Sequence, residues 1–193
     1  MKAAVFLDRD GVLNHNVFYA DTGAFESPRV PEDFVLRQNA IEALRRLVKA
    51  EYYLFLVSNQ PNVAKGKSTL DHLQRTHDKL EAALTASSIF FEEFYYCYHH
   101  PACQIPGLAG PCDCRKPSPY FLRKAEREHG IDLSHSWMIG DRASDIACGA
   151  SAGVKTVRIL PDHPCGDPRA EMPRPLYFAQ DLFEAVNQIL YPA

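Results

Sequence analysis

The run Val5-Phe6-Leu7-Asp8-Arg9-Asp10-Gly11-Val12 constrains the fold more than any other stretch of this 193-residue chain. A short apolar run reads as a buried strand. Here it ends in two carboxylates one residue apart, followed by a glycine. In an open α/β sheet, ligands gather just beyond the carboxyl ends of the strands. Two anions so close repel each other unless a cation or a shared proton offsets them. Hard carboxylate oxygens suit Mg²⁺, which usually takes one or two carboxylates together with substrate phosphate. Taken alone, the same residues also describe a strand closing in an Asp-Gly turn. The rest of the chain decides between the two.

Asn39 opens a helical period with Ile41, Leu44, Leu47 and Val48 on one face, and residues 53–57 form a second apolar run ending in Ser58-Asn59-Gln60. Strand, helix, strand at this spacing is a βαβ unit, which predicts a parallel sheet. Further helices are expected over residues 69–87, 117–130, the small-residue stretch after Asp145, and 181–190. Further strands are expected over 89–98, 137–139, 154–159 and 176–178. Residues 161–175, rich in proline and charge, read as surface loop. Between Gly11 and Pro31 no period is sustained, so that segment reads as a loop or short hairpin placed to cover the carboxylates. The length and the alternation predict one domain, 1–193, with a Rossmann-like, doubly wound α/β sheet.

Net charge is −3 and the basic residues are scattered, so no nucleic-acid footprint is evident. No window approaches the length of a membrane span. The start of the chain has one lysine and a very short apolar run before Asp8, unlike a secretory signal. Of six cysteines, four crowd between residues 97 and 114. Without a secretion signal such crowding reads as metal binding in a reducing cytoplasm, not as a disulfide framework.

Within that window Cys97-x-His99 is followed by Cys112-x-Cys114. Three thiolates and an imidazole make a closed tetrahedral Zn²⁺ site, structural because no position is left open for water. His100 and Cys103 are spare candidates; His99 is preferred because Cys-x-His places both ligands on one side of an extended segment. Such a site would pin the loop carrying Arg115 and Lys116. Ala64-Lys65-Gly66-Lys67-Ser68 invites comparison with a phosphate-binding P-loop, but Pro61 stands where that motif needs its first glycine.

In a parallel sheet the strand ends converge. Asp8 and Asp10, Ser58, Lys116, and Asp141 with Asp145 can then meet in one crevice, a set fit for phosphoryl chemistry with an aspartate as nucleophile. Phe6-Leu7-Asp8-Arg9-Asp10-Gly11, Ser58-Asn59-Gln60, Cys114-Arg115-Lys116-Pro117 and Gly140-Asp141…Asp145 resemble the four signature motifs of the haloacid dehalogenase superfamily. The resemblance implies that Asp8 is phosphorylated and that Asp10 is general acid and base. It implies Mg²⁺ on Asp8, the Asp10 carbonyl and Asp141, with Ser58 and Lys116 holding the phosphoryl group. Asp145 would orient Lys116 or the metal's water shell.

The Cys-x-His…Cys-x-Cys-Arg-Lys-Pro pattern narrows the resemblance to capless, zinc-containing phosphatases acting on D-glycero-D-manno-heptose 1,7-bisphosphate and to the related histidinol-phosphate phosphatases. Arg115 would then recognise substrate, with Asn16, Tyr19, Asn59, Gln60, Pro61 and Arg142 lining the site. The implied protein is a monomer acting on a small phosphate ester. A zinc-stabilised binding module is the non-enzymatic alternative. Two departures touch substrate contacts: Pro61-Asn62 replaces the more usual Ser-Gly, and residues 16–31 look longer than the usual substrate loop.

Overall fold

The computed structural model describes residues 2–101, 103, 105, 107–110, 112–162 and 173–192. Among them the elements run β1 (Ala4–Leu7), β2 (Val17–Tyr19), β3 (Ala24–Glu26), α1 (Ala40–Lys49), β4 (Tyr53–Asn59), α2 (Leu70–Ala86), β5 (Glu93–Cys97), α3 (Tyr120–His129), β6 (Trp137–Gly140), α4 (Ala143–Ala152), β7 (Lys155–Ile159), β8 (Tyr177–Ala179) and α5 (Leu182–Leu190). Six strands pair in the order β5-β4-β1-β6-β7-β8, every pair parallel.

Each residue of β1 is buried, and alternation sends its side chains to two cores. Val5 and Leu7 join Leu44 and Leu47 of α1, Leu80 and Leu84 of α2, and Leu182 and Val186 of α5. Ala4 and Phe6 join Leu122 and Ala125 of α3 with Cys148 and Ala152 of α4. A sheet covered on both faces reads as continuous apolar runs, which is what β1 and β4 show. Each buried Val, Leu or Phe among them contributes about 1.5–3 kcal/mol, and a one-residue slip would exchange the two faces. Register is therefore firmly set. The cap of α2 is local: Thr69 Oγ1 accepts from the His72 amide at 3.1 Å.

From β1 the chain builds outward through β4 and β5, then crosses back to β6, β7 and β8. The order reverses at β1, and the crevice beyond the carboxyl ends of β1 and β6 is the switch point where such sheets bind ligands. Between β1 and α1 the described residues add the antiparallel hairpin β2–β3 and a short 3₁₀ turn at Pro31–Asp33.

The strand expected over residues 89–98 pairs only across Glu93–Cys97. Ile89 instead closes the turn after α2, its amide bonding Leu84 O at 3.0 Å, while Ile89 and Phe91 pack on the core. Burial made them look like strand. Cys148 lies buried in α4 with its thiol 3.2 Å from Ser118 O. Cys165, expected in a surface loop, lies outside the described residues. No helix among the described residues is long and apolar enough to cross a membrane.

Candidate active site

Asp8 follows β1, Asp141 follows β6, and Asp145 sits in the first turn of α4; they are 6%, 1% and 0% exposed. One carboxylate oxygen from each lies within 4.8 Å of the others. Lys116 Nζ stands among them, 3.1 Å from Asp8 Oδ1 and 2.6 Å from Asp145 Oδ1, and donates to Val57 O at 2.6 Å. Asn59 fixes that lysine's backbone, donating to Lys116 O and accepting from Lys116 N, both at 3.1 Å. Two glycines make the approach possible. A Cβ on Gly11, whose φ is +82°, would lie 2.3 Å from Asp141 Oδ2, and one on Gly140 would lie 2.2 Å from Asp145 Cβ. The glycine after Asp10 and the one before Asp141 are thus demanded by the cluster itself.

Burial raises the Asp8 carboxyl; Lys116 opposes this while Asp145 and Asp10 add to it. Burial likewise pushes Asp141 up to about 7, against the pull of Arg142. Burial alone would lower the Lys116 ammonium, but Asp145 and Asp8 outweigh it and its pKa is raised. Two cations, Lys116 and the more distant Arg142, whose Nε is 3.9 Å from Asp141 Oδ1, face three buried carboxylates. The donor set is hard oxygen, tightly convergent, and fits a divalent cation such as Mg²⁺.

Asp10 has a different neighbourhood, although only one residue separates it from Asp8. Its carboxylate accepts from Arg9, Asn14 and Gln60, the last at 2.6 Å. Gln60 is 1% exposed and also donates to Ser58 Oγ at 3.0 Å. Gln60, expected to contact substrate, has its amide bonded within the site, to Asp10 and Ser58. Ser58 is buried beside Asp8, where its hydroxyl favours the ionised carboxylate.

A crevice of about 200 Å³ opens over Asp8 and Asp10. Asn59, Pro61, Asn62, Lys65, Arg115 and Arg142 line it, together with Phe25, Glu26 and Ser27 from the hairpin and its exit. Asn62 explains the first departure in the motif after β4. It is buried and donates to Ser27 Oγ at 3.1 Å, tying the hairpin down. Glycine there could make no such bond. Lys65, dismissed as part of a P-loop, does reach the crevice; burial and the neighbouring Lys67 and Arg115 lower its ammonium.

Asn16 donates to Asp141 Oδ2 at 3.4 Å and so sits against the carboxylate cluster. Tyr19 is turned elsewhere: its hydroxyl bonds Asp33 at 2.5 Å and accepts the Arg29 amide at 2.8 Å. It holds the hairpin and is not a crevice wall, because the hairpin's β3 strand, not β2, faces the site.

Cys97, His99, Cys112 and Cys114 converge as their spacing suggested. Cys112 Sγ lies 3.6 Å from Cys97 Sγ and 3.7 Å from Cys114 Sγ, and His99 Nδ1 lies 3.8 and 3.7 Å from Cys97 and Cys114. Tetrahedral bonds of about 2.3 Å to sulfur and about 2.0 Å to nitrogen put ligand atoms about 3.5–3.8 Å apart. The group fits Zn²⁺. Cys103 is not part of it and accepts instead from the Ile105 amide at 3.2 Å. Arg115 Nη1 donates to His99 O at 3.1 Å, so this loop is linked to the residue beside Lys116.

Residues 113–185 match the HAD-hydrolase-like family model. The chain is 36% identical over 154 residues to D-glycero-beta-D-manno-heptose-1,7-bisphosphate 7-phosphatase of Salmonella typhi, covering 79% of this chain and 77% of that one. It is 34% identical over 190 residues to D-glycero-D-manno-heptose-1,7-bisphosphate 7-phosphatase of Chlorobaculum tepidum, covering 95% and 92%. The chain belongs to the heptose-bisphosphate phosphatase family of HAD-like hydrolases. Among solved structures, D,D-heptose 1,7-bisphosphate phosphatase from B. bronchiseptica, complexed with magnesium and phosphate, superposes with a TM-score of 0.78 at 27% identity over 100% of both chains. The four motifs thus lie in the family's fold.

Proposed function

We propose that this chain hydrolyses the 7-phosphate of D-glycero-D-manno-heptose 1,7-bisphosphate through an aspartyl-phosphate at Asp8. The Lys116 bridge between Asp8 and Asp145, beside Asp141 at the sheet's switch point, carries this reading. An Asp8 oxygen attacks phosphorus, the bond from phosphorus to the sugar oxygen breaks, and that oxygen takes a proton from Asp10. A water oxygen then attacks the phosphorus of the aspartyl-phosphate and gives its proton to Asp10. The bond to Asp8 breaks, releasing inorganic phosphate. Lys116 and Ser58 hold the phosphoryl oxygens through both steps, which is positioning and charge stabilisation.

Mg²⁺ on Asp8, Asp141 and the Asp10 carbonyl would neutralise charge on the transferring group. Asp145 keeps Lys116 aimed. Zn²⁺ on Cys97, His99, Cys112 and Cys114 would be structural, holding the loop that bears Arg115. Lys65, Arg115 and Arg142 supply cationic walls for a second phosphate, with Asn59 at the base. Asn16 and Gln60 act through Asp141 and Asp10, and Tyr19 through the hairpin. We further read the chain as a single-domain cytoplasmic monomer acting on a small ester, without nucleic acid or membrane. Thiolate ligands fit a reducing compartment.

Phosphate release from phosphorylated sugars and histidinol phosphate, with Mg²⁺ and with EDTA, tests this reading. Mg²⁺-dependent release from the heptose bisphosphate that stops at the 1-phosphate is the expected result. Preference for histidinol phosphate would reassign the substrate and keep the mechanism. Release from none of them would sink the proposal in favour of a zinc-stabilised binding module.

A further inference from the structure

Arg9 lies between the two site aspartates in sequence, yet it is 1% exposed. A guanidinium so buried is tolerable only when its donors find acceptors. Its Nε reaches Asp10 Oδ1 at 3.2 Å, and Nη2 reaches Asp10 Oδ2 at 3.3 Å and Gln60 Oε1 at 2.9 Å. From the other side, the Tyr96 ring of β5 lies 5.9 Å from Arg9 Cζ, and the Tyr96 hydroxyl is in turn 3.0 Å from His77 Nδ1 on α2. Gln60 closes the ring by donating to Asp10 Oδ2 at 2.6 Å. The carboxylate of Asp10 is thereby held by a planar fork and an amide that also hold each other.

The terminal torsion of an aspartate is soft. A general acid, by contrast, must present its oxygen within about 2.6–3.2 Å of the atom it protonates. We propose that Arg9, braced by Gln60 and Tyr96, is a positioning residue that fixes the Asp10 carboxyl for proton transfer to the leaving oxygen. This rests on Asp10 being the general acid of the proposed reaction. Lysine would keep the charge but lose the two-pronged geometry, so Arg9→Lys isolates the fork from the charge.

The leaving group supplies the readout. A sugar alkoxide needs Asp10's proton as it departs, whereas p-nitrophenolate leaves without one. In single turnovers, Arg9→Lys is expected to slow cleavage of the sugar phosphate about 10–100-fold, part of the range general acid catalysis supplies. Release of p-nitrophenol and KM for both esters should change by no more than about threefold, since neither needs the proton. Equal losses with both esters, or no loss with either, would overturn the proposal. Asp10→Asn serves as the reference. If it fails to show the split, the general-acid reading is what has failed; if it shows the split and Arg9→Lys does not, only the role of Arg9 falls. Should Arg9→Lys not fold, Gln60→Leu removes an amide donor from the same carboxylate. It is expected to slow the sugar phosphate about three- to tenfold more than it slows p-nitrophenol release, since its bond to Ser58 serves both esters alike. An unsplit Gln60→Leu would then overturn the proposal.

Discussion

Two clusters of metal-ligating side chains flank Lys116, and they are assembled in opposite ways. Asp8, Asp141 and Asp145 are buried and come from two strand ends and a helix start. Sheet pairing on both sides of β1 holds these carboxylates together against their own repulsion. Of the Cys/His group, only Cys97 lies in a strand, and the other three ligands are half-buried on loop. Loop contacts help to gather them, among them His100 N to Leu108 O and Arg115 Nη1 to His99 O, both at 3.1 Å. The first cluster is therefore preorganised by the fold. On the proposed zinc reading, the second would draw further order for its loop from a bound ion.

The most severe way to break this comparison is to remove chemistry without touching either scaffold. Asp8→Asn is nearly isosteric and leaves the sheet, the loop and Lys116 in place. It should cost at least about 10⁴-fold in turnover, the scale of losing a nucleophile. Zinc content should stay near one per chain, the single tetrahedral site of the proposal. Phosphate release and metal analysis on the same preparation check both halves. Appreciable residual turnover would remove the covalent intermediate, and loss of zinc would show that the two clusters are not built independently.

The complementary variant is Cys112→Ala. Structural zinc sites typically bind with about 10–16 kcal/mol of apparent free energy, which a loop of this kind can replace with nothing else. Zinc should fall from about one per chain to well below half, since a three-ligand remnant is no closed site. The carboxylates should keep their places, because sheet pairing holds them. Turnover should drop by about 10²-fold at most, as for a misplaced positioning group. Isothermal titration with Mg²⁺ separates the outcomes: retained Mg²⁺ binding with lost zinc supports the division, and joint loss contradicts it.

The same division governs what was legible in the sequence. The sheet was readable because β1 and β4 are buried on both faces, so their apolar runs have no competing meaning. Its carboxylate ends were readable because Gly11 and Gly140 make room for Asp141 and Asp145. The convergence of Cys97, His99, Cys112 and Cys114 was readable because paired Cys-x-His and Cys-x-Cys have few other uses. Side chains whose task depends on a distant partner were not. Nothing local marks Arg9 as buried, since an arginine between two aspartates reads as ordinary strand-end charge. Gln60 and Tyr19 were expected at the substrate, but their bonds to Asp10 and Asp33 are tertiary facts. Lys65 sits in a motif that fails at Pro61, yet it reaches the crevice by another route. Asn62 looked like a departure until its bond to Ser27, across 35 positions, gave it a purpose.

The mildest probe concerns Arg115, the residue that belongs to both regions. It touches His99 O in the zinc loop and lines the crevice over Asp8. If its head group serves a distal phosphate, Arg115→Ala loses a charge-assisted hydrogen bond of about 1.5–3 kcal/mol, which is roughly 10–100-fold in affinity. KM for the bisphosphate should rise by that factor while KM for a simple aryl phosphate barely moves. If instead the guanidinium mainly braces the loop, both substrates should suffer alike, through kcat, because Lys116 follows it in the chain. Zinc content decides what a uniform loss means. Retained zinc would place the defect at Lys116 and the reacting phosphate. Partial zinc loss would make Arg115 a strut of the metal loop, and the crevice would then owe its second-phosphate selectivity to Lys65 and Arg142.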